Sequence, residues 1–414
     1  MVLSRGLFRE LKFIILLKIE MKNARDSFLG ILKDNRNGIA KGIYSVCSAN
    51  SVVLEACFLQ AKADGVMILI ESTSNQVDQY GGYTGMKPTE FVSYVNDIAG
   101  KVYFPEEMIL LGGDHLGPNP WKDLPAVKAM EKAKVLIEEY VKAGYQKIHL
   151  DTSMFCADDE GDKSKPMNDE VVAARTSALC RVAEDTWEKY RKGKPKPVYI
   201  IGTEVPVPGG AQESEDEVIP TSPEDAVRTI QITKKHFLEA GLSDAWERVV
   251  GTVVQPGVEF SDDQIFQYQK EKSQKLSKKI MQFDNLVYEA HSTDYQTEEN
   301  LKALVEDHFC ILKVGPWLTF AYREALFALE SIEIELLGDG YQGLSKIRET
   351  LEQVMLKEPV YWNKYYHGDE KLQMFKRKYS FSDRSRYYWP NSELNTAQNI
   401  LFKNLHDNKI PLSL

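Results

Sequence analysis

Cysteine is scarce in this chain. Five of the 414 residues are Cys (Cys47, Cys57, Cys156, Cys180, Cys310), and none forms a Cys-x-x-Cys pair. An odd, scattered set excludes a disulfide framework and a cysteine-based zinc site, and it fits a reducing cytoplasm. Basic tracts are missing too. The formal net charge is −10, and no Lys/Arg-rich stretch alternates with aromatics, so no nucleic-acid partner is expected. Long apolar runs are absent. Phe13-Ile-Ile-Leu-Leu17 follows Arg5, Arg9 and Lys12 and is closed by Lys18 and Glu20. It is far too short to span a bilayer and has no small-residue cleavage site after it, so no membrane association is expected. Met21 is a more usual opening, and residues 1–20 read as an upstream extension. No Gly-x-x-x-x-Gly-Lys-Ser/Thr occurs, and no Gly-x-Gly-x-x-Gly follows the first strand pattern.

What is present is an ordinary globular composition, 43% hydrophobic and 27% charged, with enough apolar residues for a large core. Apolar, β-branched segments recur at 43–47, 66–70, 108–111, 147–151, 198–203, 248–253, 286–289 and 310–314. Amphipathic helical patterns separate them, at 51–63, 88–99, 126–143, 169–192, 223–240, 262–282 and 298–307, with a last one after Pro316. Eight strand–helix units predict an α/β fold, a closed (β/α)8 TIM barrel rather than an open sheet. The expected organisation is an N-terminal extension and helix (1–36), the barrel (37–338) and a helical C-terminal appendage (339–414). Tyr387-Tyr-Trp-Pro390, beside Arg384 and Arg386, makes that appendage either a lid over a sugar site or a plug for the other barrel end.

The central stretch is Leu111-Gly-Gly-Asp-His-Leu-Gly-Pro118, an apolar run that stops in glycines and an acid–imidazole pair. Barrel catalysts sit where strands end, so the polar residues at those ends are the candidates. They are Ser48 and Asn50 after the first strand, Glu71 after the second, and Asp114 and His115 after the third. Asp151 follows the fourth, Glu204 the fifth, Gln255 the sixth, His291, Ser292 and Thr293 the seventh, and Lys313 and Gly315 close the eighth. His115, Glu204 and His291 form a nitrogen–oxygen–nitrogen set for a divalent cation, with Gln255 as a fourth contact. Glu71 and Asp151 are candidate acids, bases or partners to the ligands. His149 reads equally as a core histidine or a site residue. A divalent cation beside an Asp suits aldol cleavage or aldol-type epimerisation, in which a ketone is polarised and a carboxylate moves a proton. A substrate phosphate is expected on Ser292, Thr293, Lys313 and Gly315, with Ser48 and Asn50 as further substrate contacts and Arg384 and Arg386 as an Arg fork for the phosphate if the appendage is a lid.

Several motifs together resemble one family. Ser45-Val-Cys-Ser-Ala-Asn50, Glu71-Ser-Thr-Ser-Asn-Gln76, Gly81-Gly-Tyr-Thr-Gly85, Gly112-Gly-Asp-His-Leu-Gly-Pro118, Gly202-Thr-Glu-Val-Pro206 and Glu289-Ala-His-Ser-Thr-Asp-Tyr-Gln296 are similar to the Z-subunit family of tagatose-1,6-bisphosphate aldolase. That family is also labelled tagatose-6-phosphate kinase, a label the missing phosphate loop speaks against. The resemblance implies a class II aldolase-like barrel in which His115 binds the metal (zinc, manganese, nickel or cobalt) and Asp114 acts on the substrate hydroxyl. Glu204 and His291 match the later ligands, and Gln255 stands where such aldolases place another His. Two functions come with the resemblance. One is metal-dependent 4-epimerisation of a ketohexose or its phosphate, interconverting tagatose and fructose forms. The other is a non-catalytic role, stabilising a class II aldolase Y-subunit. Further copies of the chain, as a homo-oligomer, are also expected partners.

Overall fold

In a computed structural model the described residues are 23–163, 165–202 and 218–414. Eight parallel strands close a barrel: β1 (Ile43–Val46), β2 (Ile68–Thr73), β3 (Ile109–Leu116), β4 (Lys147–Leu150), β5 (Val198–Ile201), β6 (Val249–Val254), β7 (Val287–Ala290) and β8 (Phe309–Val314). Each pairs with the next along the chain, and β8 closes on β1. This is the expected (β/α)8 barrel. The helices outside start and stop on local chemistry. The Asn50 side chain accepts the Val52 and Val53 N–H groups at the start of helix Ser51–Asp64, and Gly65, in the left-handed region, ends it. Helix Ala126–Ala143 buries Ala129, Ala133, Leu136, Ile137 and Tyr140 along one stripe.

Two elements differ from expectation. The segment 262–282 is not one helix. A short antiparallel hairpin (Glu259–Phe260 with Ile265–Phe266) comes first, and the helix is confined to Lys270–Lys279. The Gln296 amide accepts the Tyr268 N–H at 2.9 Å and donates to the Phe266 carbonyl at 3.0 Å, which holds this stretch extended. In addition, β3 runs on through Leu116 instead of stopping at Leu111. It stays paired with β2 as far as Thr73 opposite Asp114, while its register with β4 slips between Gly113 and Leu116.

The C-terminal helices (Ile347–Lys357, Glu370–Tyr379, Ser392–Asp407) pack with helix Pro316–Leu337 around a second apolar cluster that includes Leu326, Ile347, Leu351, Leu394 and Leu401. A fully buried Arg323–Asp383 ion pair (2.7 Å) ties that helix to the stretch ahead of Arg384. The Phe381 and Ser382 N–H groups donate to Asp262 and Ser261, and the Tyr295 hydroxyl donates to the Phe381 carbonyl. These bonds lay the appendage across the mouth where β6 and β7 end, the position of a lid. Among the described residues no helix is long and apolar enough to cross a membrane.

Candidate active site

The slip in β3 builds the site. Gly112 has no Cβ because one would stand 2.7 Å from Glu71 Cγ, and a Cβ on Gly117 would stand 1.6 Å from the Asp151 carbonyl oxygen. The two glycines let Glu71 and the β4 end lie against β3, with Asp114 and His115 in the part of the strand where its register with β4 slips. His115 takes a left-handed backbone (φ 48°), and local departures of this kind in a strand re-aim side chains beside active sites.

Three imidazoles meet at this mouth. The ring centres of His115 and His291 are 4.8 Å apart, those of His115 and His149 are 5.1 Å apart, and those of His149 and His291 are 5.5 Å apart. A second group orients each ring. His115 Nδ1 lies 2.8 Å from Asp151 Oδ2, His149 Nε2 3.0 Å from the Gly202 carbonyl, and His291 Nε2 3.1 Å from Glu289 Oε1. Ligand atoms of Asp114, His149, Glu289 and His291 lie within 4.8 Å of one another. Beneath them Lys147, fully buried, bridges Glu71 (2.6 Å) and Glu289 (2.7 Å). Lys313 pairs with Glu71 and, at 3.0 Å, with Asp114.

The charges are strongly biased. Burial opposes ionisation of Asp114, but His115, Lys313 and the His149 hydrogen bond hold its carboxyl well below the ordinary carboxylate range. Burial likewise disfavours the His115 cation, and Asp114 with Asp151 outweighs it and raises that imidazole. Burial wins at His291, which falls to about 4, and at Cys47, which rises to about 12. The balance of these charges favours the carboxylate form of Asp114 on the chamber wall.

Asp294 behaves differently. Its carboxylate accepts the Gly315 N–H (3.0 Å) and the Trp317 N–H (2.8 Å), yet burial pushes it up to about 6. A carboxyl raised above its unfolded value stabilises the fold fully below that unfolded value, about 4, and loses the contribution as pH rises through the folded value. Asp294→Asn, which keeps an acceptor for both amides, is therefore expected to flatten the decline in thermal stability between about pH 4 and pH 7. An unchanged slope, followed by circular dichroism, would count against this assignment.

The candidates sort clearly. Asp114, His115, His291, Ser292, Lys313, Gly315 and Arg386 line one chamber, while Ser48 and Asn50 line an adjoining one. Glu204 lies outside the described residues. Gln255 is a correction: its Oε1 accepts the Gly257 and Val258 N–H groups, so it shapes the turn after β6. Thr293 is another, since its hydroxyl donates to the Lys313 carbonyl at 2.7 Å and lines neither chamber. Lys313 and the Gly315 amide are already engaged by carboxylates, which removes them as a phosphate cradle. Arg384 stacks on the Tyr365 ring, 3.2 Å from its centroid, away from both chambers. Asp151 is the orienting partner of His115. Two residues were undervalued, His149 and Glu289. The signal for them was the period of two in a strand, which puts Lys147, His149 and Asp151 on one face of β4 and Glu289 with His291 on one face of β7.

A parallel barrel with a buried imidazole–carboxylate cluster at its C-terminal mouth defines an α/β-barrel protein whose strand ends are compatible with a divalent cation. The chain belongs to the family described as D-tagatose-1,6-bisphosphate aldolase subunit GatZ/KbaZ-like, which it matches over residues 28–414. It is 46% identical to a probable tagatose 6 phosphate kinase from Sinorhizobium meliloti 1021 of known crystal structure, covering 90% of this chain and 89% of that one, with a TM-score of 0.80. The YdjI aldolase from Escherichia coli K12 is 10% identical (76% and 87% covered, TM-score 0.42). A fructose-bisphosphate aldolase from Campylobacter jejuni is 12% identical (92% and 95% covered, TM-score 0.46). Likeness at those two levels says nothing about chemistry.

Proposed function

We propose that this chain serves D-tagatose-1,6-bisphosphate aldolase as its Z-type subunit, stabilising a class II aldolase partner, and that its own barrel mouth binds a ketohexose or ketohexose phosphate beside a divalent cation. The family match over nearly the whole chain carries the first part. The test is co-expression with a Y-type aldolase subunit. Co-purification and a longer-lived aldolase activity are the expected result, and a partner indifferent to this chain would sink the reading.

The residues fit a cation. Four buried carboxylates (Glu71, Asp114, Asp151, Glu289) face two ammonium groups (Lys147, Lys313), which leaves two negative charges unmatched unless histidines ionise. With the His149 Nε2 proton donated to the Gly202 carbonyl, Nδ1, which takes the His115 N–H at 3.2 Å, faces Asp114 Oδ1 at 3.0 Å, a contact that either a second ring proton or a cation makes favourable. His115, His149, His291, Asp114 and Glu289 would hold the ion. When bound, a divalent cation polarises the ketose carbonyl and stabilises an enediolate.

A second reading, catalysis by the chain itself, is favoured by Asp114, a carboxylate kept ionised at the reacting end of the mouth. As a 4-epimerase, Asp114 takes the C4 hydroxyl proton and the C3–C4 bond opens to an aldehyde and an enediolate. The aldehyde turns, the bond re-forms on its other face and Asp114 returns the proton. Pure protein incubated with fructose, tagatose and their 6-phosphates, with manganese, nickel or zinc, is expected to interconvert one pair. No interconversion with any of them would remove this reading and leave the subunit role standing.

A further inference from the structure

Epimerisation at C4 poses a problem of direction. The C4 oxygen points one way before the C3–C4 bond opens and the other way once the aldehyde has turned. A group fixed on one side reaches it only before the turn, so the proton that Asp114 takes has to come back by another route. Asp114 faces the chamber from the β3 end, below. The appendage lies across the mouth above, and it contributes Arg386 and Tyr387 to the same chamber.

Tyr387 is held there by its neighbours. Its ring stacks on Tyr361, with centres 4.8 Å apart, and meets the Tyr83 ring edge-on at 4.7 Å. Its hydroxyl oxygen accepts from Arg386 at 2.9 Å and from Arg384 at 3.5 Å. A guanidinium only donates, so neither partner can take the phenolic proton. That proton has no acceptor among the described residues, and the chamber is the space open to it. Arg384 and Ser385 are buried, whereas Arg386 and Tyr387 keep part of their surface open. Arg386 makes no ion pair among the described residues, and its hydrogen bond there goes to Tyr387.

Charge separates the two tyrosines of this wall. Burial pushes the Tyr83 phenol up. Burial also opposes ionisation of Tyr387, but Arg386 and Arg384 outweigh it and bring this phenol below its ordinary value. Tyr83 and Tyr361 are the titratable groups packed against it from other elements, and Asp294 and Asp383 act on Arg386 behind it. A phenol so placed is still protonated near neutral pH and gives its proton up more readily than a free one.

We propose that Tyr387 is the second proton-transfer group of this mouth, the general acid that protonates the C4 oxygen after the aldehyde has turned, with Arg386 positioning its hydroxyl. The proposal rests on the reading of this mouth as a 4-epimerase. In the closing step the enediolate's electron pair forms the C3–C4 bond, and the carbonyl pair moves onto the C4 oxygen. The Tyr387 O–H bond breaks as the new O–H forms, and the phenolate is balanced by Arg386. The proton that Asp114 took returns to the phenolate through water as product leaves, so protons and electrons balance over the cycle.

The test is the rate and pH profile of the full-length protein, with manganese, nickel or zinc, on the ketose pair that the wild type interconverts. Tyr387→Phe keeps the ring and removes the hydroxyl. It is expected to lower kcat at least about a hundredfold and to leave KM within about threefold. In the wild type kcat/KM is expected to fall at alkaline pH, as the acid loses its proton, and Tyr387→Phe is expected to lose that limb. Arg386→Gln removes the cation, so the limb is expected to move to higher pH; this variant serves if Tyr387→Phe fails to fold. A Tyr387→Phe protein that keeps more than about a tenth of the wild-type kcat, or that changes only KM, overturns the assignment and leaves the epimerase standing. An alkaline limb unmoved in both variants does the same. A wild type that interconverts no pair removes the epimerase reading and the role of Tyr387 with it.

Discussion

Lys147→Met is expected to destabilise the fold by about 3–5 kcal/mol, the cost of breaking a buried ion pair from one side. Lys147 Nζ lies 2.6 Å from Glu71 and 2.7 Å from Glu289, and all three side chains have no solvent exposure. Methionine fills much the same volume, so a cavity is not the cause. The cause is two carboxylates left in a desolvated barrel with only Lys313, shared with Asp114, beside Glu71. Adding Glu71→Gln and Glu289→Gln removes both orphaned charges and is expected to recover much of the loss, because isosteric neutral groups avoid the desolvation of an ion. Denaturant titration of the single and triple variants measures both effects. A single variant within about 0.5 kcal/mol of the wild type, the scatter of ordinary surface changes, would mean the pair is not held as described.

This buried ionic floor also shows where the sequence was legible and where it was not. The barrel could be read because each strand is a short β-branched run bounded by turn residues and each helix has a periodic stripe, signals that local physics alone produces. Asp114 and His115 stood out because they interrupt such a run with glycines. Lys147 and Glu289 did not, since a charged residue inside a strand pattern looks like an outward-facing one until closure brings strands far apart in sequence face to face. Gln255 and Thr293 failed for the opposite reason. Both sit at strand ends, as candidates should, but their polar atoms are taken by neighbouring backbone groups, and no spacing rule reports who the hydrogen-bond partner is. The hairpin before helix Lys270–Lys279 was hidden likewise, because the amide that holds it extended comes from Gln296. Arg384 and Arg386 look interchangeable in the chain, yet one is stacked away and the other lines both chambers, a distinction made by helix packing in the appendage.

Loss of the imidazole at position 115 is expected to have the largest effect on ligand binding. His115→Ala should lower the affinity for manganese or zinc by more than about a hundredfold, beyond the roughly 10–100-fold that follows from disturbing only a ligand's orienting partner. The geometry supplies the reason. The bond between Nδ1 and Asp151 sets the tautomer with the proton on Nδ1, which leaves Nε2 as the lone-pair nitrogen of a ring facing His149 and His291. Asp151→Asn keeps the ring in place but weakens its orientation and basicity, so it should fall in that intermediate 10–100-fold range. The order His115→Ala below Asp151→Asn below wild type is the signature of a ligand with its orienting carboxylate. A purely structural role for His115 would instead lower thermal stability and leave the metal content of the folded fraction intact. His115 also sits at a positive φ that alanine tolerates poorly, so His115→Gln, with a polar side chain of similar reach, belongs beside it. Metal content after dialysis, measured per folded protein, decides the matter. If both position-115 variants retain the wild-type stoichiometry, the cation binds elsewhere and the cluster at this mouth is an ion-pair network without a metal.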